Sequence, residues 1–309
     1  MNRTQIEWVK NPDGTQGYTH NPISGCKYHT PEGLCLGGGF PCYAFKLANG
    51  RLKQRYLSET NVAVAKGDLE TFRRAMKDPF YPRFWPERLK DIEIGYHYTD
   101  RFGGCEFAAK PRGIFVCNMG ELFGDWIPRE WQDQIFKTIN HYNNKNDRFY
   151  LLTKQPQNLS QFSPFPENCW VGVTATNDAM FRIACIALAK VNAKVKYISF
   201  EPLLDWSAYF GPPLDKTNSL GDNWMKKAGI NWVIIGAQTK PYKPPKIEWV
   251  QEIVQACDKA GVKVFLKDNL RPLFVDALAK KLIDRKQFFV HSIGHGGDLR
   301  QEMPVGGKL

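Results

Sequence analysis

Arg148-Phe-Tyr-Leu-Leu-Thr153, Cys169-Trp-Val-Gly-Val-Thr174 and Val195-Lys-Tyr-Ile-Ser-Phe200 are three apolar runs of six residues, each with a hydroxyl-bearing residue at or next to its end. They are short and rich in β-branched and aromatic side chains, which is how strands buried on both faces of a parallel sheet read. Similar runs lie on either side. Gly113-Ile-Phe-Val-Cys117 comes before them, Asn231-Trp-Val-Ile-Ile-Gly236 and Val262-Lys-Val-Phe-Leu-Lys267 after, and a further short strand precedes Cys26. The intervals read as helices over 43–57, 129–142, 178–191 and 246–260. Pro128 opens the second, Asp178 stands as N-cap of the third and Gly261 stops the fourth.

Strands alternating with helices build right-handed βαβ units and a parallel sheet. About seven such units suit one α/β domain over 1–309, a complete or partial (β/α) barrel of roughly six to eight parallel strands. A doubly wound open sheet is the alternative. Residues 78–112, with Pro79, Pro82, Pro86, Pro111 and Gly103-Gly104, read as an irregular insertion. Residues 207–228 and the Gly-rich tail from 294 read as loops, and 271–309 as a C-terminal extension.

No run of about 18 apolar residues is present, which argues against a membrane span. The opening Met1-Asn-Arg-Thr-Gln-Ile-Glu7 lacks the apolar core of a signal peptide, so the expected location is the cytoplasm. The net charge of +11 is concentrated at the two ends. Residues 1–90 hold 14 basic and 8 acidic side chains, 91–239 hold 15 of each, and 240–309 hold 13 and 8. Such a surplus is either a solubility device or the footprint of a polyanionic partner.

Strand ends in such folds carry the chemistry. Here they deliver Asn118-Met-Gly-Glu121, Thr153-Lys154, Thr174-Ala-Thr-Asn177, Ser199-Phe-Glu-Pro202, Gly236-Ala-Gln238 and Lys267-Asp-Asn269. After the first strand comes a cysteine loop, with Cys26, Cys35 and Cys42 spaced C-x8-C-x6-C. Clustered thiols in a reducing compartment indicate metal more than disulfide. Three thiolates can hold three irons of a 4Fe–4S cluster and leave the fourth open. Alternatively, Cys26, His29, Cys35 and Cys42 can hold a structural zinc. Gly37-Gly-Gly39 gives a bulky inorganic core room against the backbone. Cys105, Cys117, Cys169, Cys185 and Cys257 are scattered and mostly read as core.

Thr4-Gln-Ile-Glu-Trp8, Asn21-Pro-Ile-Ser-Gly-Cys26, Cys42-Tyr-Ala44, Ile114 to Phe123, Leu152-Thr-Lys-Gln-Pro156, Trp170-Val-Gly-Val173, Ser199 to Leu204, Trp232 to Gly236 and Ala260 to Lys267 follow one another along the chain. As an ordered set they resemble the phage-associated radical S-adenosylmethionine (radical SAM) proteins. The cysteine gaps are longer here than that family's, and the tail beyond 270 departs from it.

The resemblance implies a radical SAM barrel in which Cys26, Cys35 and Cys42 hold a 4Fe–4S cluster. One-electron reduction then cleaves S-adenosylmethionine to methionine and a 5′-deoxyadenosyl radical, which takes a hydrogen from a substrate. It implies an electron donor such as flavodoxin or ferredoxin. Gly120 and Glu121 would receive the methionine ammonium. Thr174, Thr176 and Asn177 would contact the cofactor, and Thr153 and Lys154 would lie beside it. Ser199 and Glu201 would face ribose or substrate, and Lys154 and Lys267 would neutralise a carboxylate or an anionic substrate. Cys117 is either core or a hydrogen donor.

The substrate classes left open are a nucleic acid or nucleotide and a protein or peptide; a zinc-stabilised binding protein without catalysis is the third reading. Lys46, Arg51, Lys53 and Arg55, with Tyr43, Phe45 and Tyr56, would make a basic aromatic face suited to nucleic acid.

Overall fold

The computed structural model describes residues 1–93, 110–206, 220–290 and 297–304. Cys105, Gly103-Gly104 and the middle of the 78–112 insertion lie outside the described residues, as do 207–219 and 291–296.

The architecture is α/β with an eight-stranded, mostly parallel sheet. Its strands are β1 (Asn2–Arg3), β2 (Tyr18–His20), β3 (Gly113–Val116), β4 (Arg148–Thr153), β5 (Cys169–Thr174), β6 (Val195–Phe200), β7 (Trp232–Ile235) and β8 (Lys263–Leu266). They follow one another in chain order. A doubly wound sheet reverses its order at a switch point, so that alternative does not describe this chain. Among the described residues no helix is long and apolar enough to cross a membrane.

By its internal contacts the chain divides into two compact units, Met1–Asn158 with Pro164–Trp170, and Leu159–Ser163 with Val171–Leu309. In the first, β1 is antiparallel to β2, and β2, β3 and β4 run parallel. The register sets His20 against Val116 and Val116 against Leu151, so the residues after each strand emerge at one end. The core beneath is aromatic. Trp8 meets Phe115 at 5.0 Å and Tyr150 at 5.7 Å, and Tyr150 meets Trp170 at 5.3 Å. The expected helix 43–57 is two helices, α1 (Tyr43–Asn49) and α2 (Lys53–Leu57), because Gly50 ends the first. Helix α3 (Arg129–Ile139) buries Trp131, Ile135 and Ile139, an i, i+4, i+8 stripe.

Arg83 is fully buried in this unit. Its guanidinium donates to the carbonyls of Glu59, Ala75, Asp78 and Tyr81 at 2.8–3.2 Å, tying together the chain that passes under the cysteine loop.

In the second unit β6, β7 and β8 are parallel, with Phe200 against Ile235 and Ile235 against Leu266. Helix α4 (Asp178–Ala189) is capped by Asn177, whose side chain accepts the Met180 N–H at 2.9 Å. Asp178, the expected cap, is the first helical residue instead. Residues 207–228 are not all loop, since Leu220–Ala228 forms a helix, α5. Helix α6 (Ile247–Ala260) ends as expected at Gly261, whose φ of +72° suits a residue without a β-carbon. Helix α7 (Arg271–Ala279) follows. The edge of β8 away from β7 is occupied by the C-terminal segment. Leu266 N–H donates to the Arg300 carbonyl at 2.8 Å and Glu302 N–H to that of Val264 at 2.9 Å.

Candidate functional site

The cysteine loop of the first unit is held at its root by backbone contacts. Gly25 N–H donates to the Met119 carbonyl at 2.9 Å, Glu121 N–H to that of Gly25 at 3.2 Å, and Cys26 N–H to that of Phe80 at 3.0 Å. This approach leaves no room for side chains. A β-carbon on Gly120 would stand 2.9 Å from the Gly25 oxygen, and one on Gly25 would stand 2.5 Å from those of Phe80 and Tyr81. Gly120 therefore fixes the loop against the strand end through its bare backbone.

Beyond Cys26 the loop folds on itself. Cys35 N–H donates to the Phe40 carbonyl at 2.8 Å, Cys42 N–H to that of Gly33 at 2.9 Å, and His29 and Cys35 pair as a β-bridge. Cys42 then stands at the N-terminus of α1. All three cysteines are free thiols. Cys26 Sγ accepts the Tyr28 N–H at 3.2 Å.

The three thiols lie within one another's electrostatic reach. Burial raises the Cys26 pKa, and Glu121, Cys35 and Cys42 raise it further. Burial also raises that of Cys35, where the Lys154 ammonium and the Gly37 N–H oppose the rise. Among the described residues no three His, Cys, Asp or Glu side chains stand close enough to grip a single metal ion.

Glu121 is buried beside them. Oε1 accepts the Thr153 hydroxyl at 2.6 Å and the Phe123 N–H at 3.1 Å, and Oε2 accepts the Lys154 N–H at 3.1 Å. Burial pushes its pKa up; these hydrogen bonds and the Lys154 charge restrain it. Thr153 and Lys154, at the end of β4, thus meet Glu121 after the end of β3. With two acceptor sites per oxygen, Oε2 keeps one open.

Cys117 is buried and its thiol is pushed up to about 12 by burial. Its φ of +59° is rare for a residue with a side chain, and it closes β3 by donating its N–H to the His20 carbonyl at 2.7 Å. Sequence reading passed over His20 and gave Asn21, the first residue of the first cysteine motif, no role of its own. Asn21 accepts the Met119 N–H and donates to Asn118 Oδ1, both at 2.8 Å, bracing the same turn. His20 is 1% exposed, its Nε2 has no hydrogen-bond partner among the described residues, and burial lowers its pKa to about 4. The available signal was the position of both residues at a strand end, directly before Pro22. Tyr43, next to Cys42, donates its hydroxyl to the Asn118 carbonyl.

The second unit gathers the other expected residues in part. Lys267 forms an ion pair with Glu201. Both lie against Gly236, where a β-carbon would stand 2.9 Å from Lys267 Cδ and 3.4 Å from Glu201 Cγ. Asn269, beside them, exchanges two hydrogen bonds with the Ala237 backbone at 3.0 and 3.1 Å. Ser199 and Thr174 are buried, and Ser199 Oγ has no hydrogen-bond partner among the described residues. The side chain of Asn177 is committed to capping α4, and Thr176 Oγ1 lies 3.2 Å from Met180 Sδ. Of the three aromatics expected on the basic face, Tyr43 is 54% exposed, whereas Tyr56 is buried and Phe45 packs on the same core cluster. The face is therefore basic with one aromatic, because the other two rings are needed inside.

No curated protein and no solved structure matches this chain. A family model described as a protein of unknown function (DUF5131) matches residues 3–278. With that much of its length matched, the chain belongs to the DUF5131 family.

Proposed function

We propose that this chain is a radical SAM enzyme in which Cys26, Cys35 and Cys42 hold a 4Fe–4S cluster. The observation that carries this reading is the convergence, in one loop, of three mutually interacting free thiols beside a buried carboxylate and a lysine. The donors suit the group: three soft sulfurs, with N–H groups from Tyr28 and Gly37 directed at two of them. A barrel-like arrangement of the βα units belongs to the same reading.

When bound, the cluster supplies the electron that cleaves S-adenosylmethionine reductively. The chain's residues supply position and charge. Glu121 locks the turn after β3 to Thr153 and Lys154, and the open site on Oε2 suits an ammonium group. Lys154 places a cation beside Cys35. In the second unit, Ser199 offers an uncommitted hydroxyl and Glu201–Lys267 a paired charge, and we assign these to nucleoside or substrate. Asn177 spends its side-chain oxygen on capping α4 and Thr176 directs its hydroxyl at Met180, which leaves the Asn177 amide N–H groups for the cofactor. Nucleic acid or a nucleotide is the substrate class that best suits the +11 charge.

A second reading rests on the His29–Cys35 bridge. His29 Nδ1 lies 2.8 Å from the Thr30 carbonyl, which leaves Nε2 as a fourth donor beside the three thiols, though the loop would have to close around a zinc ion, since no three of these groups stand close enough to grip one as they are.

Anaerobic purification and reconstitution, with iron and zinc measured beside a dithionite-driven assay for 5′-deoxyadenosine, decides between them. About four irons per chain, lost with deoxyadenosine in Cys42→Ala, is the expected result. Stoichiometric zinc with no iron uptake and no deoxyadenosine overturns it.

A further inference from the structure

Residues 33–58 contain no Asp or Glu, yet they carry Lys46, Arg51, Lys53 and Arg55. All four are exposed. Among the described residues none of them forms an ion pair with a carboxylate, whereas Arg129, Lys280 and Arg300 elsewhere each do. Arg55 also lies near enough to Arg88 for the two cations to repel, and Arg88 is stacked 3.8 Å over Trp85. A one-sign cluster of this kind is relieved by an anion.

The cluster runs up to the cysteine loop. On α1, Tyr43 and Lys46 stand three residues apart on the exposed side, opposite the buried Ala44 and Ala48. Tyr43 follows Cys42 directly, and the bond from its hydroxyl to the Asn118 carbonyl fixes an exposed ring in place. A fixed, exposed ring beside unpaired cations is the arrangement that takes an unstacked base together with its phosphates. A duplex keeps its bases stacked and gives such a ring nothing to meet.

We infer that the α1–α2 surface binds the phosphodiester backbone of single-stranded nucleic acid, with one base on Tyr43, and that this strand is the substrate offered to the cysteine loop. The binding stands independently; the role as substrate rests on the radical reading above.

The test is fluorescence anisotropy of a labelled single-stranded oligonucleotide on the reconstituted protein. Its iron content is measured separately, so a failed radical reading and a failed binding site are told apart. Four phosphate contacts predict that log affinity falls against log salt with a slope near ~3, about 50-fold between 50 and 200 mM. Replacing Lys46, Arg51, Lys53 and Arg55 together by Gln should remove most of that dependence. A control that removes two cations elsewhere, Lys240→Gln with Lys243→Gln, should keep it. Tyr43→Leu should weaken binding roughly tenfold, and Tyr43→Phe, which keeps the ring but not its anchor, should restore part of it. Unchanged binding in the fourfold variant, equal affinity for a duplex of the same sequence, or equal displacement by polyglutamate overturns the inference. The last outcome would mark the surface as a site for acidic protein.

Discussion

A β-carbon on Gly37 would stand 2.9 Å from Cδ of Lys154 and 3.5 Å from Sγ of Cys35, so the lysine stem lies along the cysteine loop. The clash in Gly37→Ala falls on a flexible side chain that can move, so stability should drop by less than about 1 kcal/mol. The displaced ammonium would leave Cys35 less compensated. In the iron-loaded protein, Gly37→Ala and Lys154→Gln should both lower the midpoint potential, by on the order of tens of millivolts, because a nearby cation favours the more negative reduced state. An EPR-monitored redox titration measures it, and an unmoved potential in Lys154→Gln would rule out this role for the lysine.

Glu121 satisfies three donors on two segments of chain. Glu121→Ala leaves them buried and unpaired, and urea unfolding should show a loss of about 2–4 kcal/mol. Glu121→Gln keeps one acceptor oxygen and should lose less. A change below about 0.5 kcal/mol in the alanine variant would mean that water replaces the carboxylate.

Ser199 presents the opposite case. Its buried hydroxyl has no described partner to lose, so Ser199→Ala should leave stability unchanged or raise it by about 0.5–1 kcal/mol. Calorimetric titration should nonetheless show weaker S-adenosylmethionine binding. Lower stability with unaltered binding would make the hydroxyl structural.

His20 gives the pH dependence. Its folded pKa, about 4, lies below the ordinary 6.5 because it is buried. The folded state therefore binds fewer protons than the unfolded chain, and stability is lost as pH falls from 6.5 through 4. At pH 5 this group alone should cost about 2 kcal/mol relative to pH 7. His20→Phe should flatten that part of the urea-unfolding profile; an unchanged acid limb would assign the loss to other groups.

Much of this was legible in the sequence, and for physical reasons. β4, β5 and β6 run over the residues their apolar composition marks, because strands buried on both faces tolerate little else. Gly261 announced the end of α6 because few other residues adopt its conformation without strain. The grouping of Glu121 with Thr153 and Lys154 followed from parallel register, which brings strand ends to one level. Capping was less legible, since Asn177 and Asp178 are adjacent good caps and only the backbone path chooses between them. The break at Gly50 had its signal in the glycine itself, whereas the burial of Tyr56 was hidden because amphipathic spacing does not reveal which ring the core needs. His20 and Arg83 escaped because a charged or titratable residue reads as surface until its hydrogen-bond partners, or their absence, are seen.

The pairing of Arg300–Glu302 along β8 has a consequence for how the protein can be cut down. The family match ends at residue 278, but the hydrogen bonds that finish the second unit's sheet come from more than twenty residues later. A truncation at 278 keeps every matched residue and strips the seal from a strand rich in apolar side chains. Bare strand edges recruit other strands. The shortened protein should therefore associate with itself, because the tail outside the family match is what covers that edge.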